Sequence, residues 1–307
     1  MNPILPNEAR PDLSVGLSKS ALAGAATMLA PILFPAFTVR EKAGTISCAQ
    51  VNRGTGTKNR AKGATVNATR VVSLPITYTV NKYEGRDILD AEDVKDAGGL
   101  DAAISAGTRG AGYDAIALLE QDAKAALVAA FGAGTAYTID TTAPFDALFQ
   151  AAQAVKDYGK PVLVASETFI RKFVKIPAVS QVLADLFGHG WFNDIRDLGN
   201  VNKALGAAFG VDAVIIGDDN FWDVDSGDGA FVVALREEAK TDARNVAKRL
   251  PSLGFMPVFL PEENSTAEEP FAVSTAYLPE TKDNAVDVDL YAEPKVINTG
   301  AVAKVTL

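Results

Sequence analysis

The chain has 307 residues, 29 basic and 38 acidic, for a net charge of −9, with 48% apolar residues, one histidine and one cysteine. This is an ordinary globular composition, neither disordered nor collagen-like, and long enough for one large or two modest domains. The lone Cys48 excludes an internal disulfide and a cysteine-based zinc site. The lone His189 excludes a multi-histidine metal cluster, and the acidic balance argues against general nucleic-acid binding.

Residues 1–20, with Pro3, Pro6 and Pro11, read as an extended arm. From Ser20 to Val39 there is no charge, about the length that spans a bilayer as a helix. Pro31 and Pro35 interrupt it, however, and leave Leu22–Ala30 as the helix-compatible part, too short to cross. Glu8 and Asp12 offset Arg10 and Lys19, so the start lacks the basic excess of a signal peptide. No membrane role is expected.

"FPAFTVREKAGTI" is strand-like, and residues 46–80 carry Arg53, Lys58, Arg60, Lys62 and Arg70 with no acid, a local charge of +5. The middle, "NRGTGTKNRAKGAT", has no apolar periodicity and cannot build a core. Its flanks, "TISCAQV" and "ATRVVSLPITYTV", are rich in β-branched residues. The pattern predicts a long two-stranded excursion with a non-core tip. Such a ribbon is marginal alone and needs another surface to lie on.

An acidic stretch follows. Glu84, Asp87, Asp90, Glu92, Asp93, Asp96 and Asp101, against Arg86 and Lys95, give −7 + 2 = −5. Residues 100–131 then read as a long helix, with Leu100, Ile104, Ile116, Leu119, Ala123, Ala126, Leu127 and Phe131 near helical spacing. Gly107, Gly110 and Gly112 weaken its first half, and Gly132–Gly134 ends it.

From Pro144 helices alternate with short strands. Phe145, Leu148, Phe149, Ala152 and Val155 form one helix face, and "PVLVAS", "VDAVIIG" and "GAFVVAL" are buried-strand candidates. The helices between them are "ETFIRKFVK", "SQVLADLFG" and "NVNKALGAAFG". Together they predict a compact α/β unit over roughly 143–260. "FAVSTAYL" and "AVDVDLYAEPKVINTGAVAKVTL" then alternate as strands to the C-terminus.

The chemical motifs are weak. "GTGTKNRAKGAT" lacks phosphate-loop spacing. "GDDNFWDVDSGDGA" is rich in aspartate, but Gly227 and Ala234 occupy calcium-loop ligand positions counted from Asp223, so a turn is expected. Ser166 has no G-x-S-x-G elbow and reads as a helix N-cap, His189 between two glycines reads as a turn residue, and Cys48 as a small apolar filler. No catalytic residue, cofactor or metal ligand is expected. The opposed charge blocks carry the functional signal instead: a basic ribbon with no core of its own complements an acidic surface, on another molecule or within its own chain, unless the two are simply solvated faces of opposite sign.

The order of arm, basic ribbon, acidic lead-in, long helix, α/β unit and closing strands resembles the major capsid protein of tailed bacteriophages, the Hong Kong 97-type fold. Similar local stretches are "LAPILFPAFTVREKAGTI", "ITYTVNKYEGRDILDAEDV", "LLEQDAKAALVAAFG", "GKPVLVASETFIRKFVKIPAVSQVL", "ALGAAFGVDAVIIGDDN" and "DVDLYAEPKVINTGAVAKVTL". The resemblance runs from about residue 20 onward. It implies an α+β fold: an N-terminal arm over 1–35, an extended loop over 36–80, a peripheral domain with a spine helix over 81–142 and 261–307, and an axial domain over 143–260.

The resemblance further implies a non-enzymatic shell subunit. It would assemble with itself as pentamers and hexamers into an icosahedral virion capsid in the host bacterial cytoplasm, enclosing double-stranded DNA without sequence-specific binding. Arg53, Lys58, Arg60, Lys62 and Arg70 of one subunit would meet Glu84, Asp87, Asp90, Glu92, Asp93 and Asp96 of the next. Arm-like sequence begins within about twenty residues of Met1, which leaves no room for a built-in scaffolding domain, so assembly control is expected from a separate scaffolding protein or from the capsid protein itself, beside portal and decoration proteins. Two other readings stand: an encapsulin-like compartment, or an α/β enzyme with its site at the ends of Val162–Ala165 and Val214–Ile216.

Overall fold

A computed structural model describes residues 8–9, 29–52, 70–187, 201–235, 253–260, 271–281 and 283–307. The basic tip residues Arg53, Lys58, Arg60 and Lys62, and His189, lie outside these described residues, as does most of the helix expected over 22–30. The described helix there is α1, Ala30–Leu33, and it starts with Pro31 in its first turn. Proline fits that position because no helix hydrogen bond is lost there. Among the described residues no helix is long and apolar enough to cross a membrane.

Next come β2 (Ala36–Val39) and the ribbon strands β3 (Ala43–Asn52) and β4 (Arg70–Thr79). Among the described residues β3 and β4 pair only with each other, antiparallel, from Ala43 opposite Thr79 to Asn52 opposite Arg70. Ten residues per strand give about 33 Å of ribbon. Its root is anchored by a small apolar cluster of Phe37, Ile46, Cys48, Tyr78, Val80, Phe255 and Ile297. Cys48 is thus a buried filler. Across the ribbon from this cluster, Leu74 opposite Cys48 and Pro75 opposite Ser47 are exposed. Among the described side chains, the ribbon's apolar burial comes from this root cluster.

β5 (Asn81–Leu89), α2 (Ala91–Asp96) and α3 (Leu100–Phe131) follow. β5 joins a seven-stranded sheet with β1 (Glu8–Ala9), β2, β11 (Gly254–Phe259), β12 (Phe271–Leu278), β13 (Asp283–Ala292) and β14 (Lys295–Val296). α3, 32 residues and about 48 Å long, packs on β5 and β13 through Ala103, Ile104, Ala111, Ala115, Ile116, Leu119, Ala123 and Leu127. The helix rides very close to the sheet. A Cβ built on Gly85 would lie 1.8 Å from the Ala111 carbonyl oxygen, and one on Gly107 would lie 3.0 Å from the Leu89 side chain. The glycines that lower helix propensity thus permit close packing. The Tyr83 hydroxyl donates to Asp122 Oδ2 at 2.6 Å, tying β5 to α3 at one end.

The second unit is a six-stranded sheet in the order β6–β15–β10–β7–β9–β8. Its strands are β6 (Tyr137–Thr138), β7 (Lys160–Ser166), β8 (Val201–Asn202), β9 (Ala213–Gly217), β10 (Gly229–Leu235) and β15 (Val302–Thr306). Flanking it are α4 (Pro144–Val155), α5 (Glu167–Val174), α6 (Pro177–Phe187), α7 (Lys203–Phe209) and α8 (Asp219–Trp222). β7 and β9 are parallel, as a helical crossover requires, and β10 runs antiparallel to both β7 and β15. Phe145, Phe169, Phe173 and Phe209 cluster under this sheet.

Three sequence expectations shift. Val302–Thr306, expected in the peripheral domain, pairs with β10, and Tyr137–Thr138 joins it on its other side. Gly254–Phe259, expected in the axial unit, instead pairs with β2, β13 and β14. Alternation marks which side of a strand is buried but not which strand lies beside it. Phe149, expected on the buried face of α4, is 57% exposed, because the buried stripe runs through Ala147, Leu148, Ala151, Ala152 and Val155.

Ser166 caps α5 as expected, its hydroxyl accepting from Phe169 N at 3.2 Å. The aspartate-rich loop is a turn. Asp225, Ser226 and Gly227 all have positive φ, and the lysines of the surrounding elements hold the carboxylates: Lys304 on Asp225 at 2.6 Å and Lys172 on Asp228 at 2.6 Å.

Candidate intersubunit surface

The residues expected to meet a neighbour fall on two surfaces of one subunit. On the ribbon, Arg70 lies at the outermost described pair, opposite Asn52. Arg53, Lys58, Arg60 and Lys62 lie outside the described residues.

The acidic surface lies on β5, α2 and β13. Strand alternation sends Tyr83, Gly85 and Leu89 of β5 towards α3, and Lys82, Glu84, Arg86 and Ile88 to the outer face. On that face Arg86 stands opposite Asp287 and Glu84 opposite Asp289. Arg86 donates twice to Asp287, at 2.5 and 3.0 Å. Lys82 bridges Glu84 at 2.9 Å and Asp289 at 3.0 Å. Burial lowers the pKa of the Lys82 ammonium, but the hydrogen bonds and charges of these two carboxylates outweigh it, so the net shift is upward. Asp289 Oδ1 is buried with no hydrogen-bond partner among the described residues. Glu84, Asp287 and Asp289 are therefore largely compensated within their own chain.

The remaining acids are less compensated. Asp90 and Asp93 build a reciprocal cap on α2: Asp90 Oδ1 accepts from Glu92 N and Asp93 N at 2.7 and 2.8 Å, and Asp93 Oδ2 accepts from Asp90 N at 3.1 Å. Both stay exposed, as do Glu92 and Asp96. Asp87 is half-buried in a shallow cleft of about 280 Å³ between β5 and α3, lined by Arg86, Asp87, Gly110, Ala111, Tyr113 and Asp114. Burial pushes the Asp87 carboxyl up, and the carboxylates of Asp93 and Asp114 push the same way, against one backbone hydrogen bond from Ile88. The structure thus gathers Asp87, Asp90, Glu92, Asp93 and Asp96 at one end of β5 and sets Glu84 in a separate ion-paired row.

Sequence reasoning missed Asp287 and Asp289 in this surface. Their spacing of two places them on one strand face, but the partner strand was not legible. It also missed Glu120, buried at 1% exposure in the long helix. Glu120 sits at helical spacing within the apolar run Ile116, Leu119, Ala123 and Leu127, which was the available signal. Among the described residues no group of three or more His, Cys, Asp or Glu side chains could hold a metal ion.

No protein-family model matches the chain, and no curated protein matches it in sequence. Solved structures do match in fold. A phage-related protein from Bordetella bronchiseptica is 14% identical, covers 98% of both chains and superposes with a TM-score of 0.62. A structure from Microbacterium phage Oxtober96 is 12% identical over 100% of this chain and 94% of its own, with a TM-score of 0.53. The mature capsid of bacteriophage PhiM1 is a looser likeness, 15% identical over 92% and 87% of the two chains, at 0.45. Over nearly its whole length the chain shares the α+β fold of the Bordetella and Microbacterium phage structures.

Proposed function

We propose that this chain is the major capsid protein of a tailed bacteriophage, a structural subunit that assembles with itself into an icosahedral shell around double-stranded DNA. The observation that carries the reading is the ribbon. Ten paired residues per strand project from a root cluster, inside a chain whose fold is shared end to end with a phage-related protein. A two-stranded element of that length gains little from its own packing, and a neighbouring copy supplies the missing surface. The basic ribbon tip of one subunit, Arg53 to Arg70, lies on the acidic end of the next, at Asp87, Asp90, Glu92, Asp93 and Asp96, with Glu84 at its margin.

Residues 36–80 serve as the extended loop. The seven-stranded sheet with α3 is the peripheral domain, and the six-stranded sheet the axial domain at the five-fold and six-fold positions. Each exposed ion pair contributes about 0–1 kcal/mol, so charge orients assembly while apolar burial holds it. A net charge of −9 suits a shell that encloses DNA without gripping it. Separate scaffolding, portal and decoration proteins complete the particle, in the host cytoplasm.

Sedimentation and negative-stain microscopy of the purified chain at moderate salt test the proposal. Closed shells, or rings of five and six subunits, are expected. A monodisperse monomer or dimer that resists added scaffold or crowding would overturn it.

A further inference from the structure

Two segments distant in sequence converge on the middle of α3. Leu29 and Ala30, at the start of α1, follow the N-terminal part of the chain. The axial unit presents Trp222 at the end of α8. Glu120 lies between them and is the one fully buried charged residue among the described residues. Its Oε1 accepts from Ala30 N at 2.9 Å, and its Oε2 from Leu29 N at 3.0 Å and Trp222 Nε1 at 2.5 Å.

The surrounding sequence builds this point. Leu29 and Ala30 have no side-chain cap of their own, so their N–H groups, orphans at the start of α1, depend on Glu120. The Trp222 indole reaches Glu120 by lying over Gly217, where a Cβ would stand 2.5 Å from the indole. On either side along α3, Tyr113 meets the Phe221 ring at 6.0 Å, and Lys124 Nζ donates to the Asp223 carbonyl at 3.2 Å.

We propose that Glu120 is a coupling residue: one buried carboxylate fastens both the N-terminal segment and the axial unit to the long helix, so that loosening either contact loosens the other. The chemistry is lopsided. All three partners are N–H donors, and Trp222 Nε1 and Leu29 N share one oxygen. If the indole leaves, Oε2 keeps a single donor in an apolar surround, and a buried carboxylate with fewer hydrogen bonds is strongly disfavoured. The carboxylate then turns towards water and releases Ala30 as well. Burial already pushes this carboxyl up, opposed by hydrogen bonds from Ala30, Trp222 and Leu29. The joint therefore holds two segments in place by a charge that the interior tolerates only while all its donors are present.

Amide hydrogen exchange on the full chain tests this. Trp222→Phe removes one donor and leaves the backbone donors of Leu29 and Ala30 in place. It should raise exchange across Leu29–Phe34 by about tenfold. Phe231→Leu, which thins the same axial core away from Glu120, should change exchange there by less than about twofold. Glu120→Gln keeps the shape but turns one acceptor into a donor facing donors, and it should raise exchange at both Leu29–Phe34 and Asp219–Trp222. Equal rises in the Trp222 and Phe231 variants, no rise in the Trp222 variant, or loosening at only one end in Glu120→Gln would each overturn the coupling.

Discussion

β10, of seven residues, and β4, of ten, are both rich in β-branched and apolar residues, yet they lie in opposite surroundings. β10 sits between β7 and β15, and six of its seven residues, Gly229 to Ala234, are buried. β4 has one neighbour, and of its side chains described between Leu74 and Thr79, Tyr78 alone is buried. Burial on both faces is what makes a strand contribute to the stability of its own chain. A strand with one neighbour and little cover makes its contribution only when another surface reaches it. The contrast separates the part of the chain that holds the subunit together from the part that reaches out of it.

Four variants sharpen that contrast, in decreasing effect on subunit stability. Phe231→Ala, in the centre of β10, should cost about 3–5 kcal/mol in a denaturant titration and unfold the axial unit first. Gly85→Val drives a side chain into the Ala111 carbonyl. It should cost about 2–3 kcal/mol by lifting α3 off β5, and a tolerated valine would mean that the helix does not lie so close.

Asp87→Asn has a smaller effect whose sign depends on pH. The folded-state pKa of Asp87 is raised by burial in its cleft. Its contribution is therefore full below the unfolded carboxylate value and is lost as pH rises through the raised folded value. The asparagine variant should be slightly more stable than the parent at neutral pH and lack this segment of the pH profile. A parent profile that falls with acidification over that window would contradict the assignment. The smallest effect belongs to the ribbon: reversing Arg53, Lys58, Arg60 and Lys62 to glutamate should leave the thermal midpoint of the free subunit within about 2 °C, while closed particles fail to form. Normal particles from this variant would show the charged contact to be dispensable.

The same contrast governs how much was legible in the sequence. Buried strands such as Pro161–Ser166 and Gly229–Leu235 announce themselves as unbroken apolar runs between turn residues. The ribbon is legible through its β-branched flanks around a glycine- and lysine-rich middle. Helix starts at Pro144 and Ser166 follow from local chemistry, which sequence carries well. Long-range partnership does not follow in this way. Nothing local says that Val302–Thr306 inserts beside β10, or that Gly254–Phe259 leaves the axial unit, because any apolar strand of matching period would satisfy the same edge. At the candidate site the individual acids were legible, but their division was not. Whether Glu84 is cancelled by Lys82 or Asp90 is spent on capping α2 depends on pairings made after folding. Glu120 was hidden for a related reason: an acid in an apolar helix stripe is explained only by the donors that come to meet it from residues 29, 30 and 222.

The account stands on the claim that the ribbon finds its surface on another copy of the chain. Carboxyl-to-lysine cross-linking of particles assembled from mixed heavy- and light-isotope subunits tests it most directly. The expected result is mixed-isotope peptides joining Lys58 or Lys62 to the segment from Glu84 to Asp96. Particles whose links from these lysines are all of one isotope, or fall elsewhere on the neighbour, would contradict it.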